Sequence, residues 1–244
     1  MYMLDSFKIT AKKLKRILKV HISLPDKYNE CDDTYPLIIA LDGELLFNFL
    51  NEDTKRININ TAIKEYNDKC IIVALQAPKL EAWRMSELNP YYNGEDKTVD
   101  PILSYIFFDY IAVELIAMLK ESYRFNDDIY LLGFNEGGIA SLNMVYRYPI
   151  FKGAGLFNPA FSSCSTKLIA DLNKYFNENK KIYIYHGENI AGNDNTIYYV
   201  SAEIKKKAPA MVQIDMDSSS SNSYLDFEEH LYNYFSFILD EGGN

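Results

Sequence analysis

The stretch LLGFNEGGIASL, Leu131 to Leu142, holds the residues best spaced for chemistry. It reads as G-x-N-x-G-G: Gly133, Phe134, Asn135, Glu136, Gly137, Gly138. An apolar strand pattern precedes it and a helical pattern follows. A sharp strand-to-helix turn of this kind lifts its third residue clear of the chain, and a serine there would attack an ester carbonyl. Asparagine does not: the lone pair of its amide nitrogen is delocalised into the carbonyl. Its type does suit the turn, because asparagine tolerates positive φ. Gly133, Gly137 and Gly138 suit it too, since strand and helix approach closely there. The expectation is a turn that survives without its nucleophile.

The elements that must position this turn can be read along the chain. Leu18, Val20, Ile22 and Leu24 alternate with Lys19, His21 and Ser23, as in a half-buried strand closed by Pro25. Lys12, Lys13, Lys15 and Arg16 read as the solvated face of an edge strand. YPLIIALDG and CIIVALQAP are short continuous apolar runs that suit buried strands. Phe107, Ile111, Leu115 and Met118 form one stripe of a helix between residues 106 and 119. DIYLLGF, GAGLF, KIYIYHG and AMVQIDM read as strands. GGIASLNMVYRYP, TIYYVSAEIKKKAP and LDFEEHLYNYFSFIL read as helices. Strands alternating with helices predict an α/β fold in three layers, a mostly parallel central sheet with helices on both faces. No Gly/Pro-rich linker interrupts the chain, so residues 1–244 are expected to form one domain.

The formal net charge of −9 excludes a basic nucleic-acid surface and disfavours docking on anionic lipid. No apolar run reaches the roughly 18 residues of a membrane helix. The N-terminal stretch lacks a signal-peptide core. Cys31, Cys70 and Cys164 have neither zinc-site nor disulfide spacing, so no metal and no cofactor are expected, and the thiols are expected to be reduced in the cytoplasm.

Several segments resemble, in order, the esterase D-like and enterochelin-esterase-like family of α/β-hydrolases. The likeness runs from VHISLPDKYNE and TYPLIIALDGELLF through WRMSELNPYY and VELIAMLKESYR to the elbow and FNPAF. It spans roughly residues 16–240. The resemblance implies an α/β-hydrolase fold and a serine–histidine–acid triad. It aligns the serine position with Asn135, the histidine position with Asn222 and the acid position with Asn189, with Glu188 and Asp194 close to the last. It implies an oxyanion hole from the backbone N–H groups of Glu136 and of the Asp42–Glu44 loop around Gly43. It also implies that residues 76–101 cap the site, with Trp83, Arg84 and Tyr91 lining a pocket. Arg84 is expected either to bind a carboxylate or to pin the loop by pairing with Glu87. Carboxylates at 42, 44 and 136 are expected to make the pocket electronegative.

Of the histidines, His230 falls two turns into the last helix and reads as a surface residue, while His186 and His21 read as structural. The leading expectation is therefore a triad-less pseudo-esterase that binds a small-molecule ligand or a protein partner. One alternative is an active ester hydrolase using Ser141, Ser162 or Cys164, or an Asn135 deamidated to aspartate. The other is an interaction module presenting the tyrosines of NPYYNG and TIYYVS. The oligomeric state is left open by the sequence.

Overall fold

The computed structural model describes residues 3–43, 46, 66, 68–94, 102–187, 195–217 and 224–240. Its strands are β1 (Met3–Ala11), β2 (Arg16–Leu24), β3 (Tyr35–Leu41), β4 (Ile71–Leu75), β5 (Phe125–Phe134), β6 (Phe151–Phe157), β7 (Lys181–Gly187) and β8 (Val212–Asp217). They form one sheet in the order β1-β2-β4-β3-β5-β6-β7-β8. β1–β2 and β2–β4 pair antiparallel, and the remaining neighbours pair parallel. The helices are α1 (Glu81–Leu88), α2 (Leu103–Asp109), α3 (Ile116–Ser122), α4 (Glu136–Arg147), α5 (Ser165–Tyr175), α6 (Thr196–Lys207) and α7 (Tyr224–Leu239).

Alternate residues of each strand face opposite sides of the sheet, so the central strands feed two cores. Leu37, Ile39, Leu41 and Leu131 join the side chains of helices α2 to α6. Ile38, Ala40, Leu132 and Phe134 join Leu231, Tyr234, Phe235 and Ile238 of α7. This is the three-layer architecture read from the sequence. The second core explains part of the high aromatic content: Phe157 lies within about 6 Å, centroid to centroid, of Phe134, Tyr183, Tyr185, Phe227 and Tyr234.

Two local readings are corrected. Lys12, Lys13 and Lys15 sit in the turn between β1 and β2, with Lys15 at φ 52°. The edge strand is β1, which the sequence reading missed because only Phe7, Ile9 and Ala11 carry its apolar alternation. Second, the helical stripe breaks at Met118, which is 44% exposed. Residues Tyr110–Leu115 are π-helical, and the extra residue rotates the following turn so that Ile116 and Leu119 face inward instead.

β3 lies between β4 and β5. The chain leaves β3 toward one neighbour and later returns on its other side, which makes this pair a topological switch point. In open α/β sheets, the crevice beyond the strand C-termini at such a point is where ligands bind. The segments that follow β3 and β5 carry Asp42–Gly43 and Asn135–Glu136, so the fold itself selects the place to look.

Candidate functional site

Phe134 ends β5, and Glu136 begins α4, leaving Asn135 as the single residue of the turn. Its φ is 49° and its ψ −112°. That is not the left-handed helical region that asparagine tolerates; it matches the first central position of a type II′ turn, where glycine dominates. A side chain there costs on the order of 1–3 kcal/mol, held by the surrounding structure. The Asn135 N–H donates to Phe157 O at 2.9 Å. Its carbonyl accepts from Gly138 N at 3.1 Å and Ala160 N at 3.3 Å. The side chain is exposed and caps no N–H of α4. The glycines are steric requirements: a Cβ on Gly133 would stand 2.1 Å from Gly137 O, and one on Gly137 would stand 2.8 Å from Asp42 Oδ2.

Arg84 of α1 binds both halves of the crevice. Its Nε and Nη2 donate to Asp42 Oδ1 and Oδ2 at 3.1 and 2.8 Å, and its Nη1 donates to Glu136 Oε2 at 2.6 Å. Asp42 itself sits at φ 60° and is buried. This overturns one expectation. Arg84 does not pair with Glu87, whose carboxylate is instead held by Arg16. The carboxylates at 42 and 136 share one guanidinium, so the fork keeps one net negative charge. The ionic fork was missed because its members lie 42 and 52 residues from Arg84 along the chain, beyond any local spacing rule.

The sequence matches the family model described as "Putative esterase" over residues 11–228. The chain belongs to that esterase family. Comparison with curated protein sequences gives no match. Among solved structures, the fold resembles an IroE-like serine hydrolase from Shewanella oneidensis, with TM-score 0.74 and 18% identity, covering 96% of this chain and 78% of that one. It resembles the S-formylglutathione hydrolase of Agrobacterium tumefaciens at TM-score 0.70 and 15% identity, covering 98% and 96%. It also resembles the enterobactin esterase of Shigella flexneri at TM-score 0.74 and 13% identity, covering 96% of this chain and 59% of that longer one. At these identities, the likenesses establish the α/β-hydrolase fold.

An esterase of this fold needs an imidazole at the elbow, and all three histidines of the chain are described. His21 lies on β2, three strands from β5, or about 14 Å at the usual strand spacing. His186 ends β7, and its Nε2 lies 2.6 Å from Ser201 Oγ, with both residues buried. Burial pushes the His186 pKa down to about 4. His230 is buried against the sheet rather than on the helix surface, which corrects the sequence reading. Its ring stacks on Tyr185 at 3.8 Å, and its Nδ1 lies 3.5 Å from Asp215 Oδ2. Asp215 also accepts from Tyr183 Oη at 2.7 Å and Asn233 Nδ2 at 2.8 Å. These hydrogen bonds hold its carboxyl well below the usual range against the opposing effect of burial. Phe227 of α7, one turn before His230, packs on Phe134 at 5.3 Å.

The substitute nucleophiles fare no better. Ser141 is fully buried. Burial and the nearby Glu136 charge push the Cys164 thiol up to about 11, far from a reactive thiolate. Ser162 is exposed on the Phe161–Ser163 turn but has no histidine partner among the described residues. Trp83 is half-buried against the core. Tyr91 turns its hydroxyl inward, 3.1 Å from Asn143 Oδ1 and 3.0 Å from Asp171 Oδ2, and its ring borders a groove of about 240 Å³ with residues 162–167. Of NPYYNG and TIYYVS, Tyr199 is the strongly exposed tyrosine. Asn189 and Asn222, with Glu44, Glu188 and Asp194, lie outside the described residues. No three metal-ligating side chains cluster among the described residues, and no helix there is long and apolar enough to cross a membrane.

Proposed function

We propose that this esterase-family protein has lost hydrolytic chemistry and binds a small molecule or a protein partner in the elbow crevice without turning it over. One observation carries the reading: a carboxamide occupies the elbow, and each of the three histidines is committed elsewhere. The backbone N–H groups of Glu136 and Gly43 supply the crevice's donors, which need no particular side chain. The same groups that would steady an oxyanion can hold a carbonyl or carboxylate of a bound ligand. Arg84 offsets one of the two charges of Asp42 and Glu136 beside them, so a neutral carbonyl approaching those donors meets less repulsion than a carboxylate would.

The test is a pair of assays on the wild-type chain. We expect no hydrolysis of p-nitrophenyl acetate or butyrate above background, and no labelling by a fluorophosphonate probe. Turnover, or a covalent serine adduct, overturns the proposal. Because a triad acts as a unit, Asn135→Ser alone is expected to restore nothing. Asn135→Ser combined with Asn222→His supplies nucleophile and base together, and ester hydrolysis by this pair alone would place residue 222 within reach of the elbow.

A further inference from the structure

The strained backbone of Asn135 has a chemical counterpart. A tetrahedral Cα of L hand places Cβ a third of a turn from the residue's own nitrogen. A ψ of −112° therefore brings Cβ almost into eclipse with the nitrogen of Glu136. That is the arrangement required to close a five-membered ring through the Asn135 Cγ and the Glu136 nitrogen. Ordinary helix and strand backbones hold ψ far from this value, which protects their asparagines. Here the turn imposes it. Three further features favour closure. Glu136 is the first residue of α4, where a backbone N–H has no partner inside the helix. The Asn135 side chain is exposed, so its χ1 can rotate and ammonia can leave. Its carboxamide is not engaged in capping the helix.

We propose that Asn135 is a self-modification site: the elbow geometry drives cyclisation of Asn135 onto the Glu136 nitrogen and conversion to aspartate. The Glu136 amide gives its proton to solvent base, and its nitrogen pair forms a bond to the Asn135 Cγ. The carboxamide C–N bond breaks, and the leaving nitrogen departs as ammonia, which gives a cyclic imide. Water then adds at Cγ and breaks the newly formed C–N bond, the Glu136 nitrogen regains a proton, and a carboxylate remains. The net change consumes one water and releases one ammonia, with no oxidant or reductant. Opening at Cγ is favoured because it restores the native backbone path, with the main-chain carbonyl of Asn135 bonded to Gly138 N and Ala160 N as before. Opening on that other side would also lengthen the backbone where strand and helix already leave no room for a Cβ on Gly133. The product places a carboxylate where the elbow presents a nucleophile.

The test compares the same chain folded and denatured in urea, both incubated at neutral to mildly alkaline pH in heavy-oxygen water. Peptide mass spectrometry follows residue 135, with Asn93 as the internal reference. Asn93 precedes Gly94, so in the denatured chain it meets the least side-chain hindrance and should convert faster than Asn135. Since a denatured chain rarely visits the strained conformation, Asn135 is expected to convert roughly tenfold faster, or more, when folded. Hydroxylamine, which cleaves cyclic imides, should release fragments 1–135 and 136–244 from the folded chain. A folded rate at Asn135 equal to or below the denatured rate overturns the proposal. The inference needs only the elbow's backbone, so its outcome is separate from that of the ester assays, which read freshly purified chain and bear on the functional proposal alone.

Discussion

The elbow and the β7–β8–α7 flank are the two regions that an esterase must bring together, and they have fared differently. At the elbow, the backbone is intact in every respect that the fold controls: a positive φ at Asn135, a Gly133–Gly137 crossing too tight for a Cβ, and anchoring hydrogen bonds to β6 and to Ala160. At the flank, the histidines face structural neighbours. His186 is closed against Ser201, while His230 is stacked on Tyr185 beside Asp215. The difference follows from what holds each feature. A main-chain turn between two packed elements is fixed by their contacts and survives loss of its side-chain chemistry. A catalytic imidazole has no such support, since only its reaction keeps it aimed across the sheet edge. A histidine buried in the sheet is instead held by its packing and by whatever hydrogen bond its ring makes.

The comparison breaks most directly at Gly133. Gly133→Ala puts a methyl 2.1 Å from a backbone oxygen that cannot move without separating α4 from β5. We expect a loss of about 3 kcal/mol or more, at the severe end for point substitutions, read from the urea midpoint. A variant that folds with unchanged stability would mean that the crossing is looser than described, and the contrast with the flank would fail. A smaller loss sharpens it. Arg84→Ala leaves buried Asp42 without its bidentate partner and Glu136 without its cation. Breaking a buried pair from one side should cost about 3 kcal/mol, less whatever solvent recovers at the partly exposed Glu136. Arg84→Ala combined with Asp42→Asn should lose less than the sum of the two single changes. Strict additivity would show the fork to be ornamental rather than the tie between the β3 and β5 loops.

The sheet was legible because its signals are local and repeated. YPLIIAL, IIVAL and KIYIYHG are buried on both faces, and their strands lie inside the mostly parallel sheet. The elbow was legible because glycine spacing reports a close crossing. β1 was not, since an edge strand with one wet face carries half the apolar signal. The fate of Met118 was hidden because one π-helical turn changes the phase of a stripe without leaving a mark in composition. Arg84 was marked as important but given the wrong partner. Its neighbour at helical spacing, Glu87, was the natural choice, yet Arg16 already occupies that carboxylate across 71 residues. His230 misled for a related reason. Its position on α7 was clear, but which side of that helix meets Tyr185 depends on the docking of the whole helix on the sheet.

The smallest effect expected, and the one that most sharply separates the two regions, is a pH dependence belonging to the flank alone. His186 is neutral and buried, with its folded pKa lowered to about 4 by loss of hydration. In the unfolded chain, a histidine titrates near 6.5. Between these values, the unfolded state binds a proton that the folded state refuses, so stability falls as pH drops through 6.5 and continues to fall toward 4. From pH 7.5 to pH 5.5 the contribution is about 1 kcal/mol. His21 is shifted in the same direction by burial, and Asp215, held low by its hydrogen bonds, loses its contribution only at more acid pH. The wild-type slope alone is therefore ambiguous, but its difference from the His186→Gln variant is not. The variant is expected to be less stable at every pH because Ser201 loses its imidazole partner, yet its stability should depend less steeply on pH across this window. Parallel curves would mean that His186 takes up its proton in the folded state as easily as in the unfolded one. In that event the imidazole would not be sealed against Ser201, and the flank would hold a titratable base after all.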